Sequence, residues 1–287
     1  GYLFIILAML TWGSIGIIVR LIPYPAELIV FYRVLFAFIF LFLVGLWKQD
    51  LDFDLKGNNK LILAGMGISL ALNWIFFFQA VKLTTIASAT LSYYTSPILV
   101  TLLSVWLLKE RLTGRGIIAL LFGFVGIAIM LSASNNLTIT GLQGIGYGVL
   151  AALFYALFTI SSKVVSDLPA RLLTMIQTGI VIVILLPIII NYNIPDSNSL
   201  LLLGIMGVIH TALALMLYVK GLSLIKVQDV GILSYLDPVS AILFALIFIG
   251  EVPTLTTIIG GGLILFSSYL VITDDKEVDE QSIDSSV

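Results

Sequence analysis

Few groups in this chain could do chemistry, and their positions single them out. In the apolar run "DVGILSYLDPVSAILFALIFIGE" (229–251), Asp237 stands near the centre with Pro238 directly after it. A carboxylate there has two uses. It can cap the helix that restarts at Pro238, because a side-chain oxygen accepts from freed amides. It can also face a cavity and hold a cationic group or a proton, since an ionisable residue within an apolar span is costly without a cavity or partner. His210 is the only histidine, the side-chain type whose ordinary titration lies near neutrality; it suits an interhelical hydrogen bond as well as a proton relay. Arg33, deep in its own apolar run, needs a counter-charge or carbonyls, and it reads as a structural charge or a substrate contact, with Asp237 as the candidate partner.

Uncharged groups extend the set. Asn73 and Phe77 lie one helical turn apart and put an amide and an aromatic ring on one face. That suits an organic solute with a polar head, and interhelical or lipid-facing packing equally well. Tyr94 and Tyr235 each precede a mid-run proline, Pro97 and Pro238, by three residues. They sit inside runs, not at the interfacial belts where tyrosine gathers, and read as cavity lining. Trp12 and Tyr155 are weaker candidates of the same kind. Glu110 and Glu251 close two runs just ahead of Thr113 and Thr254 and read as structural charges at helix starts.

What is missing narrows the chemistry further. Cysteine is absent, which removes disulfides, thiolate metal sites and cysteine nucleophiles together, and one histidine cannot form a histidine cluster. No metal site and no cofactor is expected. There is no glycine-rich phosphate loop, so any driving energy has to come from a solute or ion gradient. No basic patch points to nucleic acid.

The elements that would position these residues are membrane spans. The 287 residues are 60% hydrophobic and only 10% charged, with a mean hydropathy of +1.16. Soluble domains carry about a quarter charged residues, so this is an all-α integral membrane protein. Apolar runs long enough to cross a core of about 30 Å occur at 2–19, 26–47, 60–82, 86–108, 114–132, 142–163, 170–191, 199–220, 229–249 and 254–272, ten in all. With the N-terminus cytoplasmic, eleven of the fourteen Lys and Arg residues fall in inside loops or the tail, against Arg20 and Lys82 outside and Arg33 within a span. Both termini are therefore expected in the cytoplasm. The acidic segment 274–287 reads as a solvated, disordered cytoplasmic tail.

The chain also repeats itself. A shift of 141 residues lays Ala71 on Ala212, Tyr94 on Tyr235, Pro97 on Pro238 and Glu110 on Glu251. Residues 1–135 and 136–273 thus read as two copies of five spans. An odd number of spans forces the second copy to cross in the opposite sense, and an inverted-topology repeat with a midplane site is a mark of secondary transporters. Pro97 and Pro238 each remove a backbone donor, so spans four and nine should kink or unwind at equivalent depths and leave a cavity between the halves.

The stretches "FYRVLFAF", "SPILVTLLSVWLLKERLT" and "DPVSAILFALIFIGEVPT" resemble the EamA-type members of the drug/metabolite transporter superfamily, over nearly the whole chain. The one departure is Pro253 at a helix start, where many copies of the motif have leucine. The resemblance implies a carrier of small metabolites, often outward. The combined expectation is a multi-pass secondary transporter of a prokaryotic cytoplasmic membrane, working by alternating access around a central cavity. Amino acids or related solutes lead as substrates, with drugs, nucleosides or sugars as the alternative. Protons are the candidate coupling partner, and Asp237 and His210 the candidate carriers. An intramembrane enzyme would want clustered acids or histidines, and a channel a polar lining sustained along a helix; neither pattern is present. "GIGYG" (144–148) permits close helix approach but serves internal packing as readily as a dimer, so the oligomeric state stays open.

Overall fold

The computed structural model describes residues 1–49, 55, 59–83, 86–130, 139–250 and 252–284, which form helices and no strand. Helices follow from the solvent: in hydrocarbon every backbone N–H and C=O needs an internal partner, and these runs are too apolar to lie in water. The order is α1 (Tyr2–Gly13), α2 (Ile15–Arg20), α3 (Ala26–Trp47), α4 (Lys60–Leu83), α5 (Ile86–Tyr93), α6 (Ser96–Leu103), α7 (Gly114–Met130), α8 (Ile139–Val164), α9 (Ala170–Ile189), α10 (Ser197–Ile205), α11 (Ala214–Leu222), α12 (Val227–Leu233), α13 (Leu236–Ile249) and α14 (Leu255–Asp284). Two π-helical segments, Ser104–Leu108 and Met206–Leu213, extend α6 and join α10 to α11.

Among the described residues, seven stretches are long and apolar enough to cross a membrane: Tyr2–Val19, Ala26–Trp47, Lys60–Leu83, Gly141–Val164, Ala170–Ile189, Ser197–Leu222 and Val227–Phe248. Three shorter apolar helices, Ser96–Leu108, Gly114–Ile129 and Ile258–Thr273, lie where the sequence places three further spans. Large apolar side chains such as Leu102, Val183, Leu201 and Phe266 are exposed around the outside, as a lipid-facing surface requires.

Two helix breaks matter most. α5 stops at Tyr93 and α6 starts at Ser96; α12 stops at Leu233 and α13 starts at Leu236. Each break falls just ahead of a proline in the first turn of the following helix, where a missing N–H costs no helical bond. The 141-residue shift carries one break to within one residue of the other. It also carries Lys109 onto Gly250, and both close their segments in the left-handed conformation, at φ 57° and 73°.

Helices pack chiefly across the two halves. α4 lies along α8 and α1 along α11; α5 and α6 meet α8, while α1 meets α13; α3 pairs with α9, α6 with α12, and α7 with α14. The Gly-x-x-x-Gly face of α8 is one such contact: a Cβ at Gly148 would lie 1.9 Å from Ser92 Oγ, so this face is spent inside the chain. Contacts at one end tie the first helix of each half to the stretch 222–229 of the second half. Tyr2 Oη donates to Asp229 at 3.0 Å, and Lys163 Nζ donates to the carbonyls of Leu222 and Ile225 at 2.7 Å each. At the opposite end, Lys82 pairs with Glu27 and Tyr24 Oη donates to Asp196 at 3.2 Å. Asp196 also caps α10 through the amides of Asn198 and Ser199. The Ser199 hydroxyl and amide, with Tyr24, hold its carboxyl below the ordinary aspartate range.

The last helix, α14, continues as helix to Asp284. A nucleated helix adds one hydrogen bond for each residue fixed, and 274–284 contains neither glycine nor proline to stop it.

Candidate substrate cavity

Where the breaks, the second π-helical segment and α1, α3, α4 and α8 come together, the bundle encloses a cavity of about 520 Å³. It runs toward the end that carries the turn between α2 and α3, with Val19 and Ala26 in its wall. Trp12, Asn73, Phe77, Tyr94, Tyr155, His210 and Asp237 all line it, joined by Arg33 and Pro238. Both halves contribute.

Asp237 does not cap α13. That helix starts without a side-chain cap bond, and the Asp237 carboxylate accepts the Tyr94 hydroxyl at 3.1 Å instead. The bond therefore joins the break in one copy to the break in the other. α1 can come close because it presents Gly13: a Cβ there would lie 2.8 Å from the Asp237 carbonyl. Tyr235, the repeat partner of Tyr94, is not at the cavity. It is fully buried behind Tyr94, ring centroids 6.2 Å apart, and fills the space left by the bare Gly123. The repeat relation equates backbone positions, but the two halves do not present their side chains to one surface in the same way.

Arg33 and Asp237 share the cavity without forming an ion pair, which corrects the candidate pairing. The guanidinium instead lies 4.5 Å from the centroid of the Trp74 ring, a cation–π contact. Trp12 donates its indole N–H to the His210 carbonyl at 2.9 Å. His210 Nε2 meets Ser14 Oγ at 2.8 Å. Asn73 is tied to the framework, donating to the Ala151 carbonyl at 2.8 Å. Tyr155 shares its hydroxyl with Tyr218 and Ser234, each at 3.0 Å, and Tyr218 reaches Thr159 at 2.8 Å. These last three hydroxyls were not foreseen: a tyrosine, a serine and a threonine in three separate spans carry no joint pattern in sequence.

Pro97 is buried at the crossing of α6 and α12 and does not line the cavity, although its neighbour Ser96 does. Glu110 is structural in an unforeseen direction. Its carboxylate accepts the amides of Val227 at 2.9 Å and Gln228 at 3.2 Å, so it caps α12 of the other half and not the helix that follows it. The Gln228 side chain returns a bond to the Arg111 carbonyl at 2.8 Å. Glu251 lies outside the described residues.

A model of the EamA-like transporter family matches residues 1–132 and again 142–273. The chain belongs to this family. It is a membrane transporter and not an enzyme, a multi-pass protein that works in a lipid bilayer on a small-molecule substrate. Similar proteins include an uncharacterized transporter, YxxF, of Bacillus subtilis (strain 168), 29% identical over 89% of this chain and 84% of its own. An uncharacterized transporter of Archaeoglobus fulgidus is 30% identical over 91% of this chain and 92% of its own. Protein RarD of Salmonella typhi is 27% identical over 88% and 87%. A solved crystal structure with 19% sequence identity superposes at a TM-score of 0.84 over 96% of this chain and 97% of the other, a likeness of fold.

Proposed function

We propose that this EamA-like protein is a ten-span secondary transporter of the cytoplasmic membrane, built as two inverted five-helix copies with both termini inside. It moves an amino acid or related small metabolite outward by alternating access. The observation that carries the reading is the Tyr94–Asp237 hydrogen bond inside the cavity, which links equivalent helix breaks in the two halves. Rocking of the halves has to remake or break contacts at that seam, so cargo bound there is coupled to the change of access. Support for inversion comes from the double family match, from the cross-half packing, and from end contacts that set α1 beside residues 222–229.

The test is counterflow in proteoliposomes with a pool of radiolabelled amino acids, with and without a pH gradient. Saturable counterflow is expected. Accumulation only under the gradient assigns proton coupling, and Asp237→Asn should then equilibrate substrate but no longer concentrate it. Normal concentrative transport by Asp237→Asn under every imposed gradient rules out the carboxylate as proton carrier. Absence of counterflow for every amino acid moves the cargo to drugs, nucleosides or sugars.

A further inference from the structure

Three polar groups of cavity-lining residues have no hydrogen-bond partner among the described residues: Arg33 Nε, His210 Nδ1 and Thr211 Oγ1. All three residues are more than nine-tenths buried. They share one wall, because α3 packs directly on the second π-helical segment. Gly207 permits that approach, since a Cβ there would lie 2.5 Å from the Arg33 carbonyl.

The groups differ in what they can receive. Arg33 meets no carboxylate among the described residues, and a buried guanidinium without an anion is costly. The Trp74 ring offsets only part of that cost. Its planar fork suits a carboxylate, which can take two parallel N–H bonds. Thr211 keeps its hydroxyl hydrogen available for a local reason. Thr11, Thr159, Thr174 and Thr178 each donate to the carbonyl four residues back. For Thr211 that residue is Gly207, inside the widened π-helical turn, and no such bond forms. His210 is of the opposite character. Ser14 spends its hydrogen on the Thr11 carbonyl at 2.8 Å, so it accepts from His210 Nε2–H. The neutral ring then shows a lone pair at Nδ1 and accepts a donor, not an anion.

We propose that Arg33 and Thr211 form an anion-receiving subsite that takes a carboxylate of the cargo, with His210 Nδ1 beside it accepting from an N–H or O–H donor. The inference rests on the transporter reading above and names a functional group the cargo must carry. Its apolar body lies against Trp12, Trp74 and Phe77.

The test is titration calorimetry on the purified full chain with four probes: L-phenylalanine, 3-phenylpropionate, L-phenylalanine methyl ester and phenethylamine. The two carboxylates are expected to bind at least ~10-fold more tightly than the ester and the amine, as bonds to a charged group imply. Thr211→Val, close in shape, should narrow that preference several-fold; Arg33→Gln should abolish it while ester affinity is kept. Where Arg33→Gln does not fold, Arg33→Lys keeps the charge, loses the fork and should also narrow the preference. Equal binding of acid and ester by the wild-type protein overturns the subsite, as does a preference unchanged in every variant. Counterflow of the ester or amine without any carboxylate preference overturns the subsite and leaves the carrier standing. Failure of all four probes to bind or move, in protein of unchanged unfolding temperature, counts against the subsite and the amino-acid reading together.

Discussion

Buried hydroxyls hold one side of the cavity in place. Tyr155 is shared between Tyr218 and Ser234, so its single oxygen joins α8 to α11 and to the turn ahead of α13. Removing one partner from a buried network leaves the others desolvated and unpaired. Tyr155→Phe is therefore expected to cost about 1–3 kcal/mol, read as a lower unfolding temperature in detergent. Tyr147→Phe is the control: Tyr147 stacks on Phe76 at 5.8 Å and is only partly buried. An equal effect of the two substitutions would mean that the Tyr155 hydroxyl is not structural. The same logic explains why Asp237 could be singled out from sequence but its partner could not. A carboxylate in an apolar run is costly wherever it points, whereas Tyr94 lies 143 residues away and meets it only through helix rotation.

At the scale of elements, the informative features are the breaks and the π-helical segments. The breaks follow from proline chemistry and were legible to within a turn. The π-helical segment Met206–Leu213 was not, because no residue in "MGVIHTAL" forces it. It is held by its neighbours: Trp12 bonds the His210 carbonyl, and α3 presses on Gly207. Gly207→Ala would drive a methyl against the Arg33 carbonyl and Phe36 Cβ, at 2.5 and 2.6 Å, and neither can swing aside as a flexible chain end would. A cost of about 1–3 kcal/mol is expected, with counterflow lost because Arg33 moves with its backbone. Gly204→Ala, on the preceding helix with nothing within 4 Å of the new methyl, should instead stabilise by about 0.5–1 kcal/mol through helix propensity. Tolerance of alanine at 207 with flux intact would show that α3 and the π-helical segment are not held in register there.

For the whole molecule, one end of the bundle is fastened. Glu110 and Gln228 tie α12 to the opposite half, and Lys163 holds the approach to α12 within its own half, while the cavity runs toward the other end. If the halves rock, this fastening has to release in each cycle. Glu110→Gln keeps the shape and removes the charge that meets the positive helix start. The chain has no cysteine, so Ser104→Cys, at a fully buried site on the segment leading to Glu110, offers a reporter free of background. Maleimide labelling of that cysteine in detergent is expected to be slow with Glu110 present. With Glu110→Gln it should be about tenfold faster, the weight of a lost charge-assisted bond. An unchanged rate would mean that the fastening does not limit opening.

Sequence by itself determined the solvent, the helical class, the internal repeat and the places where helices break. Each of these depends on a property that a residue carries with it: transfer to lipid, the missing N–H of proline, or the recurrence of the same residues at a fixed spacing. It also marked Asp237, Arg33 and His210, because polar groups in apolar runs are expensive in any arrangement. Tertiary structure decided which faces of those helices meet. It put Tyr94 at the cavity and Tyr235 behind it, sent Glu110 to a helix start 117 residues away, and left Arg33 without Asp237. It also freed Thr211 by widening one turn. These outcomes depend on the rotation and crossing of helices distant in sequence, which side-chain packing across the two halves sets and no single segment encodes.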